Sequence, residues 1–199
     1  MFTVFLVDDD ARVIKALSRL MSLKGYQVRA YTSPQEFLSN HDAAVPGCAV
    51  LDVSMPGLNG LDLQQALTAG GPPRPVIFIT GKGDIPTSVR AMRAGAIDFL
   101  TKPVSNHDLL AAIARAEEQD VKARNRRAEL ASIEAKIATL TPREREVLTH
   151  VVAGRFNKQI AFDLGTVEKT IKVHRGAIMK KLGLRTIADL VRLAEKAGL

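Results

Sequence analysis

The sequence has very little cysteine and no long apolar run, and each absence excludes a class of protein. Cys48 is the single cysteine among 199 residues, so the chain cannot form an intramolecular disulfide. No apolar run approaches the length of a membrane-spanning helix, and the first residues lack the basic segment of a secretion signal. No cluster of His and Cys with zinc-ligand spacing occurs either. We therefore expect a cytoplasmic protein with no membrane partner.

Excess positive charge is confined to the last part of the chain. Residues 1–120 contain 11 Lys/Arg and 13 Asp/Glu, whereas residues 121–199 contain 17 and 8, which together give the formal net charge of +7. A basic segment that follows a slightly acidic one indicates that only the second meets a polyanion. A solvated basic surface without a partner is the alternative explanation.

Short apolar runs alternate with amphipathic helical stretches over residues 1–118. This alternation predicts an α/β fold, a doubly wound five-stranded parallel sheet of the flavodoxin-like kind with helices on both faces. The predicted strands are Thr3–Val7, Gln27–Tyr31, Cys48–Leu51, Val76–Ile79 and Ile97–Leu100.

The rest of the chain is predicted to be helical. Residues 119–138 are expected to form a polar helical linker, and residues 139–199 an all-α domain of four helices at about 142–153, 157–164, 167–182 and 186–197. This all-α domain starts with a capping box, Thr141-Pro142-Arg143-Glu144. An apolar seam near the linker end either packs on the next domain or joins two copies of the chain. It consists of Leu130, Ile133, Ile137 and Leu140.

Side chains with chemical function follow four of the five predicted strands. Because ligands of doubly wound sheets bind at the carboxyl ends of the strands, these groups are expected to converge. Clustered carboxylates suit Mg²⁺, and one of them can then accept a phosphoryl group whose oxygens a lysine and a hydroxyl stabilise. Each residue alone also has a structural explanation, such as Asp10 as a helix cap. The groups are Asp8, Asp9, Asp10, Asp52, Thr80 and Lys102.

The basic segment contains a candidate recognition helix at about 167–182. At 100° per residue, Ile171, Ile178 and Leu182 share a core face. The opposite face carries no acid, which suits DNA phosphates and base edges. It consists of Lys169, Lys172, Val173, Gly176 and Lys180, with Arg175 beside it. A glycine inside a helix costs about 1 kcal/mol, so Gly176 indicates close approach of either a DNA backbone or another helix.

Motifs in the first domain resemble the receiver domain of response regulators. They are Val7-Asp8-Asp9, Asp52 with Met55-Pro56-Gly57, Thr80-Gly81 and Asp98–Pro103, and the segments Gly81–Pro86 and Ala91–Ala96 are most similar to the FixJ-type subgroup. The resemblance implies that Asp52 is phosphorylated by a histidine kinase and that Thr80 and Phe99 form a switch. It also implies a cis Lys102-Pro103 bond. The implied Mg²⁺ ligands are Asp8, Asp9, Asp52 and the Ser54 carbonyl.

Motifs in the last domain resemble the LuxR-type (FixJ/NarL) helix-turn-helix domain. They include Leu140–Leu148, Asn157–Ala161, Thr170–Arg175 and Lys181–Gly183. The resemblance implies a four-helix domain whose third helix enters the major groove. It puts Lys172 and Val173 at base-reading positions and Asn157 and Lys158 at positions that contact the DNA backbone. One departure is Val167, which stands where the family has a serine N-cap, so that Thr166 would have to cap instead.

The sequence thus predicts a transcription regulator rather than a metabolic enzyme. In this hypothesis, a histidine kinase phosphorylates Asp52, and phosphorylation controls homodimerisation and the binding of double-stranded promoter DNA. A DNA-binding regulator that is independent of phosphorylation is the main alternative. A metal-dependent aspartyl-phosphate phosphatase of the haloacid-dehalogenase type would use Asp8-Asp9-Asp10, but Arg12 stands where such enzymes have Thr or Val.

Overall fold

The chain folds into two compact units, Met1–Ala123 and Arg124–Leu199. The computed structural model describes residues 1–81 and 83–199; Lys82, in the middle of the Gly81–Pro86 motif, lies outside the described residues. The domain boundaries expected at residues 118 and 138 stay predictions. No described helix combines the length and the apolar composition that a bilayer crossing requires.

The first unit is built on the predicted parallel sheet, which has five strands in the order β2-β1-β3-β4-β5 in the described part of the chain. Every residue of β1, β3 and β4 is buried, because helices cover both faces of the sheet. This burial explains why these strands are continuous apolar runs in the sequence. The strands are β1 (Thr3–Val7), β2 (Gln27–Tyr31), β3 (Gly47–Asp52), β4 (Val76–Thr80) and β5 (Asp98–Thr101).

Two hydrophobic clusters flank the sheet, one on each face. The helices α1 (Ala11–Leu23) and α5 (Asn106–Ala138) contribute to one cluster. The other contains residues of α2 (Pro34–Asn40), α3 (Gly60–Ala69) and α4 (Ile85–Arg93). The predicted linker, residues 119–138, is the continuation of α5 rather than a separate element.

The second unit contains four short helices close to the predicted positions. They are α6 (Pro142–Val152), α7 (Asn157–Asp163), α8 (Glu168–Leu182) and α9 (Ile187–Ala197). The end of α5 packs against their core, where Ile133 and Leu140 are buried and Ile137 lies against them. Three of the four residues of the apolar seam, Ile133, Ile137 and Leu140, therefore pack within their own chain, and Leu130 is not part of this cluster.

A buried ion pair joins the start of α6 to the end of α8. Glu144 is 5% exposed, and its Oε2 accepts hydrogen bonds from the Thr141 backbone N–H at 2.8 Å and from Lys181 Nζ at 2.6 Å. The Lys181 ammonium lowers the pKa of the Glu144 carboxyl. The Thr141 hydroxyl in turn caps α6, which confirms the predicted capping box.

A buried arginine holds the loop between α2 and β3 against the sheet. Arg74 lies with its guanidinium carbon 4.2 Å from the centre of the Phe5 ring, and its Nε donates to His41 Nε2 at 2.8 Å. Its Nη2 donates to the carbonyl oxygens of Asp42 and Val45. Because a guanidinium only donates, His41 must be neutral to accept this bond.

The stability of the first unit is expected to fall in mild acid through His41. Burial lowers the pKa of His41 below 6.5, and the charge of Arg74 lowers it further, against the opposing charge of Asp42. The unfolded chain then binds more protons just below pH 6.5, so the free energy of unfolding decreases as the pH drops through 6.5 towards the pKa of the folded state. Urea unfolding at about pH 7.5 and about pH 5.5 measures this loss.

The matched variant is His41→Gln, whose side-chain oxygen can accept from Arg74 without titrating. Its unfolding free energy should depend less on pH over the same window. Equal pH dependence in both proteins would contradict the prediction, because it would show that titration of His41 does not contribute to the loss of stability.

Candidate functional site

The carboxyl edge of the sheet brings together the chemical groups that the sequence distributes over four strands. Asp8 directly follows β1, Asp52 ends β3, Thr80 ends β4 and Lys102 follows β5. Asp8 and Thr80 are fully buried, and Asp52 is 4% exposed. The parallel register pairs Asp52 with Ile79 and Thr80 with Thr101, so the strand ends lie side by side.

Lys102 is the cation of this edge. Its Nζ donates a hydrogen bond to Asp8 Oδ2 at 2.6 Å and lies 3.2 Å from Asp52 Oδ1. Burial alone would lower the pKa of Lys102, but the hydrogen bond to Asp8 and the charges of both carboxylates outweigh it and raise the pKa. Lys102 is therefore held as a cation between the two acids. The Lys102-Pro103 bond is cis, which confirms the expectation from the receiver resemblance.

Asp52 is buried without full compensation of its charge. Burial raises the pKa of the Asp52 carboxyl, and the neighbouring charge of Asp8 adds to this, against the attraction of Lys102. Oδ2 accepts from the Ser54 backbone N–H at 3.2 Å. Oδ1 is within ion-pair distance of Lys102, yet no donor among the described residues is aligned to give it a hydrogen bond. Because a hydrogen bond needs both a short distance and alignment, the contact with Lys102 is an ion pair without a hydrogen bond to Oδ1.

Three carboxylates of this edge fit a divalent cation. Asp8, Asp9 and Asp52 each offer an oxygen, and these oxygens lie within 4.8 Å of one another. A hard cation such as Mg²⁺ takes carboxylate oxygens and would also satisfy the unbonded oxygen of Asp52. Asp10 does not belong to the group. It caps α1, and Arg12 lowers its pKa to about 2, which confirms its structural role.

The two residues predicted to act as a switch lie near this edge. The half-buried Phe99 ring is 6.2 Å from the Phe78 ring, between centroids. Gly83 lies close to both predicted switch residues: a Cβ on it would stand 3.2 Å from Thr101 Cγ2 and 3.5 Å from each of Thr80 Cγ2 and Phe99 Cε1.

Gly60 is a part of the site that the sequence analysis missed. A Cβ at this first residue of α3 would stand 2.4 Å from the carbonyl oxygen of Asp52 and 3.1 Å from the Cα of Val53. The Gly60 N–H also donates to the Val53 carbonyl at 3.1 Å. The signal in the sequence is a glycine at the first helical position after an Asn59 cap, where glycine is not favoured.

The predicted DNA-facing side of α8 is exposed. Ile171, Ile178 and Leu182 are fully buried, as predicted for the core face. The start of the helix differs from expectation, since Val167 occupies the N-cap position and makes no side-chain cap, and Thr166 does not replace it. Glu168 Oε1 lies 3.5 Å from Lys172 Nζ, so an acid does border the basic face. The exposed residues are Lys169, Lys172, Val173, Gly176 and Lys180.

Two further predicted contact residues are joined to each other. Arg175 Nη1 donates to Asn157 Oδ1 at 2.5 Å, which ties α8 to the start of α7. Lys158, the next residue of α7, is exposed. At Gly176, an added Cβ would meet nothing within 4 Å, so close packing of another helix is not the reason for this glycine.

Comparison with known proteins agrees with both parts of this geometry. A family model described as the response regulator receiver domain matches residues 4–114, and one described as bacterial regulatory proteins, luxR family, matches residues 138–194. The chain is a two-component response regulator. It combines a receiver with a LuxR-type DNA-binding domain, and its family consists of transcription regulators, not enzymes. These domains imply a histidine kinase and DNA as partners.

Relatives of the response regulator match it over nearly its whole length. Nodulation protein W from Bradyrhizobium diazoefficiens is 44% identical over 98% of this chain and 86% of its own, and transcriptional regulatory protein FixJ from the same organism is 38% identical over 98% and 96%. Among solved structures, the response regulator StyR has a TM-score of 0.88 at 44% identity and 98% coverage of each chain. Full-length FixJ from B. japonicum has a TM-score of 0.60 at 38% identity, covering 98% of this chain and 97% of its own.

Gly60→Ala is expected to damage the receiver of the response regulator at Asp52. The new methyl group would push the Asp52 backbone away, and such overpacking costs about 1–3 kcal/mol of stability. Binding of beryllofluoride with Mg²⁺, followed by fluorescence or calorimetry, should weaken beyond what the stability loss explains. The control is Gly70→Ala, at the other end of α3, where the nearest contact is a more tolerable 3.3 Å. Equal binding in both variants would contradict this role of Gly60.

Gly176→Ala is expected to have opposite effects on stability and on DNA binding. An alanine inside α8 should raise the unfolding free energy by up to about 1 kcal/mol, because nothing in the described structure opposes the methyl group. If a DNA backbone approaches here, affinity for a selected operator should fall although the domain is more stable. Thermal unfolding and fluorescence anisotropy measure the two quantities. Higher stability with unchanged affinity would remove Gly176 from the DNA interface.

Proposed function

We propose that this response regulator is switched by phosphorylation of Asp52. A histidine kinase supplies the phosphoryl group, and the phosphorylated chain dimerises and binds a promoter. The observation that supports this most strongly is the buried Asp52 oxygen, for which no described residue supplies an aligned donor, beside a lysine and two further carboxylates. A merely structural aspartate would be expected to have its lone pairs satisfied.

Phosphoryl transfer follows from the roles of these groups. The ligands for Mg²⁺ would be Asp8, Asp9, Asp52 and the carbonyl of Ser54, and the ion would neutralise the oxygens of the incoming phosphoryl group. A carboxylate oxygen of Asp52 attacks phosphorus, the P–N bond to the donor histidine breaks, and the imidazole leaves with the electron pair. Lys102 then exchanges part of its contact with the carboxylates for a phosphoryl oxygen.

The switch would pass from the phosphoryl group to the surface through two side chains. The hydroxyl of Thr80, at the end of β4, donates a hydrogen bond to a phosphoryl oxygen, and Thr80 moves towards the phosphoryl group. Phe99 then turns towards the space that Thr80 leaves, and Gly83 permits the movement because it has no side chain between them. The surface of α4 and β5 changes as a result.

An apolar stripe on α4 supports dimerisation through this surface. Ile85 is 80% exposed, and Val89 and Met92 are also exposed at positions four and seven residues further on, so all three lie on one helix face. Exposed apolar side chains grouped in this way mark interaction sites. A second copy of the chain is the occupant that the proposal requires, since a dimer also suits an operator with two half-sites.

The DNA contacts are proposed for α8 and the start of α7. Lys172 and Val173 would face base edges in the major groove, and Lys169, Lys180 and the backbone at Gly176 would face phosphates. Asn157, Lys158 and Arg175 complete the proposed interface. The exposed, mainly basic face of α8 opposite its buried face supports this assignment.

DNA affinity with and without a phosphate mimic tests the proposal. Binding to a selected operator is measured at one salt concentration, with and without beryllofluoride plus Mg²⁺, while light scattering follows the molar mass. The unaltered chain should bind more tightly and double its mass with the mimic, and Asp52→Asn should ignore it. Val89→Glu should take up the mimic but stay monomeric. Its matched control is Leu23→Glu, an acidic substitution at an exposed apolar residue of α1, which should dimerise like the unaltered chain.

The outcome also separates the proposal from its alternative. Equal DNA affinity in every condition would favour a regulator that works without phosphorylation. Tighter binding without any change of mass would retain Asp52 as the switch and remove dimerisation. Loss of dimerisation in Val89→Glu and Leu23→Glu alike would remove the stripe on α4 as the specific contact.

A further inference from the structure

Arg175 and Asn157 form a contact that connects the two helices of the helix-turn-helix. The guanidinium Nη1 of Arg175 lies 2.5 Å from Asn157 Oδ1. Both residues are half-buried, whereas Lys172 and Val173 on the same recognition helix are exposed. The side chain of Arg175 therefore leaves α8 on the side of α7 and not on the side that would face base pairs.

Helical geometry puts Arg175 at one side of the DNA-facing surface, between the buried Ile171 and the exposed Lys172. Arg175 is about 40° around the helix axis from Ile171, about 60° from Lys172 and about 160° from Val173. A side chain in this position meets the edge of the DNA-facing surface, next to the start of α7. The sugar-phosphate backbone, rather than the floor of the major groove, passes that edge when a recognition helix lies in the groove.

The hydrogen bond also decides which atoms the pair presents to a ligand. A guanidinium has only donors, so the amide atom that faces it must be the oxygen of Asn157. This uses the single side-chain acceptor of the pair. What remains is the amide NH₂ of Asn157 and the other N–H groups of Arg175, for which the structure records no further partner among residues 1–81 and 83–199.

A surface that offers only donors and carries one positive charge is complementary to an anion with several acceptor oxygens. Phosphate fits this description, and a planar guanidinium matches its geometry with two parallel hydrogen bonds. A guanine edge, with its two acceptors in the major groove, is the base that could compete for Arg175, so the position of Arg175 at the edge of the DNA-facing surface is what favours a phosphate. The amide would also hold the guanidinium in one orientation before DNA arrives.

We propose that Asn157 and Arg175 act as one phosphate-binding unit, in which Arg175 contacts a single backbone phosphate of the operator and Asn157 is its positioning residue. The inference rests on the proposed function, since it needs the DNA interface of α7 and α8. It assigns to Arg175 a role in affinity for any DNA sequence, and it makes the contribution of Asn157 depend on the presence of Arg175.

The salt dependence of DNA binding distinguishes this role from base reading. Each neutralised phosphate adds about 0.9 to the slope of log affinity against log salt concentration, independently of sequence. The full-length chain, with beryllofluoride and Mg²⁺, is titrated with a selected operator and with an unrelated duplex at several salt concentrations. The variants are Arg175→Ala, Asn157→Ala and the double substitution. Arg192→Ala on α9, an exposed arginine outside the interface, is the control with the same charge change.

Arg175→Ala is expected to weaken binding to both duplexes by a similar factor, on the order of tenfold, and to reduce the slope by about 0.9. Asn157→Ala should produce most of this loss, and the double variant should be little worse than Arg175→Ala alone. Arg192→Ala should keep the slope of the unaltered chain. Arg175→Lys is a second variant that keeps the charge, and it should retain the slope while affinity drops on both duplexes.

Four results would overturn the inference. Loss of discrimination between operator and unrelated DNA in Arg175→Ala would mean that Arg175 reads a base. Additive losses in the double variant would mean that Asn157 does not act through Arg175. A lower melting temperature with unchanged slopes would reduce the pair to a structural link between helices. If the unaltered chain binds neither duplex, the proposed function fails as well, whereas normal binding by every variant overturns this inference alone.

Discussion

Burial of like charges at the carboxyl edge of the receiver sheet is the constraint on which the rest of that domain depends. Asp8 and Asp52 are both buried, and among residues 1–81 and 83–199 the ammonium group of Lys102 is the one within ion-pair distance of them. One cation cannot neutralise two carboxylates, and Asp9 adds a third beside them. Burial of unpaired charge is costly, so a further cation at this edge would be stabilising. This imbalance of charge fits the divalent ion and the phosphoryl group of the proposed function.

Two glycines at this edge lie in close contact with residues of the candidate site. Gly60 lies against the carbonyl of Asp52, and Gly83 lies close to Thr80 and Phe99. At either position, a side chain would collide with or press against these neighbouring residues. At Gly60 a side chain would displace the backbone of Asp52, whereas at Gly83 it would press against the side chains of Thr101, Thr80 and Phe99. Under the proposed function, the first glycine keeps the acceptor in place and the second leaves room beside the switch residues.

Sequence analysis predicted the strands and the convergence of Asp8, Asp52, Thr80 and Lys102 because parallel-sheet topology converts strand order into spatial proximity. It also predicted the buried and exposed faces of α8, since these follow from helical periodicity. The link between Asn157 and Arg175 could not be predicted, because it depends on how α7 packs on α8 and not on either helix alone. The contact of Gly60 with Asp52 likewise arises only when α3 docks on β3. The two explanations of the apolar seam were equally compatible with its spacing, and only the tertiary packing of Ile133 and Leu140 distinguishes them.

The two candidate sites carry charges of opposite sign, and this difference accounts for the ligands proposed for them. Among the described residues of the receiver edge, carboxylate oxygens outnumber cationic donors, and two of the three carboxylates, Asp8 and Asp52, are buried, which favours a cation as the ligand. In the output domain, Asn157 uses its only side-chain acceptor on Arg175, and what remains exposed along α7 and α8 is a set of donors with little acid among them. An exposed excess of donors costs little in water, because water hydrates it until an anion displaces that water. Two properties therefore determine which ligand suits each site. One is whether hydrogen-bond donors or acceptors are in excess, and the other is whether the groups in excess are buried.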